Sequence, residues 1–164
     1  MFITSFGEQN ITYKCCSNFL IHLSLVGRNY YHGWQDCYAL IRDFYSRELG
    51  VELMDFERKD AWWEESDHPS LYLENYDKAG FYEVDTPQYG DMLICRVGRT
   101  EHPNHALIWL GDNGKLKSEE AENCIGSTLI LHHPYNRKSV REIYGQQWLE
   151  RTVKILRHRD VKNN

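Results

Sequence analysis

The chain has 164 residues, of which 41% are hydrophobic, 26% charged and 13% aromatic, enough for one substantial core and too few for two ordinary domains. A formal net charge of −5 argues against a broad basic surface, and so against nucleic acid as a partner. The 5 cysteines have no regular spacing, which excludes a disulfide framework and fits synthesis in a reducing cytoplasm.

Residues 1–23 read as a lead segment. Lys14 precedes a mostly apolar run, CCSNFLIHLSLVG, that faintly imitates a secretory signal. Asn18, His22 and Ser24 interrupt it, no small-residue cleavage site follows, and the opening residues lack a basic region. The run is also too short to span a bilayer. The expectation is a helix or strand packed on the domain, with Cys15 and Cys16 as packing residues and no membrane insertion. Such a chain would have to be carried to any substrate beyond the cytoplasm.

The stretch from Gly33 to Tyr45, GWQDCYALIRDFY, predicts an amphipathic helix that opens at Cys37. Leu40, Ile41, Phe44 and Tyr45 form one apolar stripe, with Arg42, Asp43, Arg47 and Glu48 on the other faces. Asp36 is placed to cap the first turn and Gly50 to end the helix. A thiol on that first turn faces the positive end of the helix dipole, which predicts a lowered pKa and a nucleophile. The competing reading is a small buried hydrophobe.

Further along, DFERKDAWWEESDH (Asp55 to His68) reads as a loop or short helix near the site. Trp62 and Trp63 there would either stack on substrate or pack over a core edge. LYLENYDKAGF reads as a short helix ended by Gly80, and DMLICRVG as a strand with Cys95 buried and inert. HALIWLG (His105 to Gly111) alternates as a strand, with His105, Leu107 and Trp109 on one face. After a turn-rich stretch, TLILHH (Thr128 to His133) places His132 and His133 on opposite faces. Two neighbouring strands, each with a histidine at one end, could present an imidazole pair to the thiol. KSVREIYGQQWLERTVKILRH predicts a helical turn followed by a final strand, and the basic LRHRDVK reads as its solvated end. There is no Gly-rich phosphate loop, repeat or low-complexity segment.

Taken in order, YxxG (Tyr30 to Gly33), DCY (Asp36 to Tyr38), GD (Gly90 and Asp91), His105 and LHH (Leu131 to His133) form a specific set. With them, the chain from Ser24 to His158 resembles the NlpC-type cysteine peptidases, in particular those carried on phage tails. The resemblance also runs through ELGVELMDF, the Trp62–Trp63 pair, AGFYEV, NHALIWLGDNG and WLERTVKILRH. It implies Cys37 as nucleophile, His105 as general base and His132 as the polar residue that orients it. Tyr30, Asp36, Tyr38, Trp62 and Trp63 would form the substrate surface, with no cofactor and no metal. Two departures stand out. The family's usual DCSG is DCYA here, a change that phage-tail members share. Those members also carry an N-terminal metallopeptidase-like domain for which this chain has no room, which leaves the role of a partner chain open.

The expected fold is therefore α+β and papain-like, with the nucleophile helix packed on an antiparallel sheet of about five strands. The catalytic domain would span 24–160, followed by a tail at 161–164. The expected reaction is hydrolysis of an amide in the peptide stem of peptidoglycan, with the γ-D-glutamyl to diamino acid bond as the target. Expected partners are that stem and other phage tail proteins, and the expected route is from host cytoplasm to virion tail to cell wall. Three alternatives stand beside it: a structural tail protein without turnover, a zinc site from His102, His105, His132 and His133, and acyl transfer by the same residues. His133 replaces His132 if the strand is shifted by one residue.

Overall fold

The computed structural model describes residues 24–59, 62 and 70–162. The lead segment with Cys15 and Cys16, Trp63, and the last residues of the tail lie outside them. Six strands form one sheet: β1 (Phe81–Glu83), β2 (Met92–Cys95), β3 (His105–Gly111), β4 (Leu129–His132), β5 (Val140–Ile143) and β6 (Thr152–His158). Their spatial order is β1-β6-β2-β3-β4-β5, and every neighbouring pair is antiparallel. Among the described residues three α-helices accompany them: α1 (Cys37–Phe44), α2 (Leu71–Asn75) and α3 (Gln146–Arg151).

The central strands are apolar without alternation because both faces of the sheet are covered. On one face Met92, Ile94, Ala106, Ile108, Leu129 and Leu131 pack with Leu40, Ile41 and Phe44 of α1. On the other, Leu93, Cys95, Leu107 and Ile130 meet Trp148 of α3. Helix α1 begins at its Asp36 cap, widens into a π turn (Tyr45–Leu49) and stops at Gly50, whose φ of 68° suits glycine. The Tyr45 hydroxyl donates to the Gly90 carbonyl at 2.5 Å, tying the helix end to the turn that enters β2. Gly80 has a second reason to be glycine: a Cβ there would lie 2.5 Å from His158 Nε2.

Two elements differ from the sequence reading. KSVREI, expected as a helical turn, contains the edge strand β5, in which Arg141 pairs with Leu131 and Val140 with His132. Its charged residues conceal it, since an edge strand tolerates Arg and Glu where an inner strand does not. The helix comes later, at α3. The short β1 at the opposite edge was not foreseen, and the sheet of about five strands is a sheet of six.

Candidate active site

The nucleophile turn is built around Asp36. One carboxylate oxygen accepts the Ala39 N–H at 2.9 Å, capping α1, and the other accepts the Gly33 N–H at 2.9 Å. That second oxygen also takes the Arg58 Nε–H at 2.9 Å, with both side chains almost fully buried. Arg58 goes on to Asp55 and to the carbonyls of Phe56 and Gly33. The 30–36 turn and the 55–58 segment are thereby locked together. Burial alone would raise the Asp36 carboxyl, but the Ala39 N–H and the Arg58 charge outweigh it and hold Asp36 below its ordinary value.

Cys37 is half-buried at the start of α1. Its Sγ lies 3.2 Å from the Tyr72 hydroxyl and meets the backbone N–H of Ala106, the neighbour of His105. Burial, and then the Asp36 carboxylate, push the thiol up to about 11, against smaller opposing effects of Tyr72, the Ala106 N–H and Arg58. This corrects the expectation of a lowered pKa. The helix dipole acts on the thiol, but the same cap that starts the helix places a carboxylate beside it and the fold removes water.

His105 opens β3 and His132 closes β4. Their rings meet through His105 Nε2 and His132 Nδ1 at 3.0 Å. His132 Nε2 is 3.2 Å from Glu142 Oε1 on β5, and the Trp148 indole N–H donates to that same oxygen at 2.5 Å. Trp148 covers both rings, stacked on His105 at 5.9 Å and edge-on to His132 at 4.8 Å. Burial, followed by the neighbouring His132, His133 and Arg151, holds His105 well below its ordinary value, so its resting ring is neutral. His133 lies just beyond β4, turned the other way and edge-on to Tyr30 at 5.2 Å.

Cys37, His105, Tyr30, Asp36, Trp62 and His133 all line one cleft of about 100 Å³. Trp62 rests edge-on against Tyr72 at 6.1 Å. Tyr38, expected at the substrate surface, is a core residue: it is 4% exposed, its hydroxyl donates to the Met54 carbonyl, and Arg58 lies over its ring. It follows Cys37 on α1 and so turns into the core. Trp63 lies outside the described residues. Tyr72, Arg58, Glu142 and Trp148 belong to the site geometry and were missed. Tyr72 sits on a five-residue helix and Glu142 on a charged edge strand, where no spacing rule marks either. Among the described residues, no three His, Cys, Asp or Glu side chains gather closely enough to hold a metal, so the donors imagined for zinc do not converge.

The model of the NlpC/P60 family matches residues 27–157. The chain is 40% identical over 137 residues to the tail tip assembly protein K of Escherichia phage lambda, covering 82% of this chain and 59% of that protein. It is 35% identical over 143 residues to the protein of the same name from Escherichia phage N15, covering 87% of this chain and 52% of that one. The chain thus spans a little over half the length of these relatives. No solved structure matches it.

Proposed function

The chain belongs to the NlpC/P60 family, and from that premise we propose that it is a phage tail-associated cysteine peptidase acting on the peptide stem of peptidoglycan. The observation that carries this reading is the meeting at one cleft of Cys37, at a helix start, and His105, whose ring is paired with that of the buried His132 behind it. The names of its relatives support a place at the tail tip beside other tail proteins.

With a neutral thiol and a neutral imidazole at rest, the proton moves only as substrate is attacked. Cys37 passes it to His105 while Sγ bonds to the amide carbon, and the carbonyl electrons move to oxygen. The Cys37 N–H, at the helix start, would hold that oxyanion, and the Tyr72 hydroxyl, 3.2 Å from Sγ, would steady the sulfur as its charge develops. His105 then protonates the amine nitrogen as the C–N bond breaks, leaving a thioester. A water molecule, losing its proton to His105, hydrolyses the thioester to a carboxylic acid and restores the thiol.

Purified protein on cell-wall sacculi should release stem fragments, identified by mass as cleavage at the γ-D-glutamyl to diamino acid bond. Cys37→Ala should release none. Intact sacculi after exposure to the folded wild type would overturn hydrolysis in favour of a structural tail component, the reading that the neutral resting thiol supports. Products carrying an added amine would turn hydrolysis into acyl transfer.

A further inference from the structure

We infer that Glu142 is a positioning residue which fixes the tautomers of two histidines in series, and thereby makes His105 Nδ1 the basic nitrogen of the site. The inference rests on the peptidase reading for its consequence, though not for its geometry. An ionised carboxylate can only accept hydrogen bonds. Glu142 Oε1 lies 3.2 Å from His132 Nε2, an ion-pair contact to a buried nitrogen that makes no well-aligned hydrogen bond among the described residues. His132 must therefore carry its proton on Nε2. Its Nδ1 is then a lone pair, and the group 3.0 Å away, His105 Nε2, must be the donor. A neutral ring holds one proton, so His105 Nδ1 is left bare. The order of donors runs inward from the carboxylate and ends at the nitrogen that can take a proton.

Four further features belong to the same arrangement. Glu142 is ionised at neutral pH, its carboxyl held below the ordinary value by the contact with His132. The Trp148 N–H, donating to Oε1 at 2.5 Å, fixes which oxygen faces the ring. The Trp148 ring covers both imidazoles, keeping water from offering an alternative partner. Arg151 lies over the Trp148 ring at 5.4 Å and disfavours a resting positive charge on His105. When His105 does become cationic during attack, Glu142 is the carboxylate that answers it through His132.

The direct test is nitrogen NMR of protein labelled at histidine, which reads each ring nitrogen without any turnover. In the wild type, His132 and His105 should both be protonated at Nε2. Glu142→Leu should leave His105 as a mixture of tautomers, whereas Glu142→Gln, whose amide oxygen still accepts, should keep the wild-type pattern. A wild-type His105 protonated at Nδ1, or an unchanged pattern in Glu142→Leu, would overturn the inference. If Glu142→Leu does not fold, Glu142→Ala read by the same NMR decides: a mixture of His105 tautomers is expected, and the wild-type pattern would overturn the role. Fixed tautomers without any sacculus cleavage would retire the peptidase reading and leave the relay standing.

Discussion

With its thiol pushed up to about 11 by burial and Asp36, Cys37 should be alkylated by iodoacetamide at a rate that climbs steadily above neutral pH, with no plateau at low pH. Labelling of Cys95, buried and pushed up to about 12, should remain slower at every pH in the folded protein. A plateau near neutrality would mean that a thiolate–imidazolium pair already exists at rest. Tyr72 permits a second test. Tyr72→Phe keeps a ring against Tyr38 and Trp62 but removes the hydroxyl from Sγ, so folding should persist. The thiol should move further up, and turnover should fall by roughly tenfold, the worth of one hydrogen bond to a developing charge. Equal kinetics in Tyr72→Phe would assign the hydroxyl no part in the chemistry.

At the scale of elements, α1 and its cap carry the site, and their stability hinges on Asp36. Asp36→Ala removes an N-cap and leaves the buried Arg58 without its innermost partner. The combined cost should be about 2–3 kcal/mol, about 1 from the cap and the rest from the lost Arg58 contact, which the remaining Asp55 partner softens. Asp36→Asn, which can still cap, should cost less, and urea unfolding of the two variants would separate cap from charge. Helix α1 was legible because Leu40, Ile41 and Phe44 state its period and Asp36 and Gly50 mark its ends. Strands β2 and β3 were legible as apolar runs. Strand β5 was not, because its charged edge residues suit helix and strand alike. Within the site, Cys37, His105 and His132 were readable from motif order, whereas Tyr72 and Glu142 reach it only through tertiary folding. The Cys37 pKa was misread for the same reason: burial and an adjacent carboxylate are not visible in a dipole argument.

For the molecule as a whole, buried neutral histidines set its response to acid. His158, packed on Gly80 and bonded to the Ala79 carbonyl, and His133 are both held below the ordinary value of 6.5, by burial first. The unfolded chain therefore binds more protons than the folded one as pH falls below 6.5, and stability is lost in that direction. The depressed carboxylates of Asp36, Glu48 and Glu142 add a further loss at lower pH. Thermal unfolding should accordingly show a Tm that declines from neutral pH through the histidine range and then more steeply through the carboxylate range. A Tm rising on acidification would contradict this. Fusion to a secretion signal should make expression of the whole chain lethal by wall damage, and Cys37→Ala should remove the effect. Harmless export would point to a site that opens only within an assembled tail. The neutral thiol has one more consequence, for a protein that would wait in a particle outside any cell. Peroxide and oxygen attack thiolates far faster than thiols, so a sulfur that gives up its proton only as it attacks a bound amide ages slowly. Cys37 would be stored in its unreactive form and armed by the wall itself.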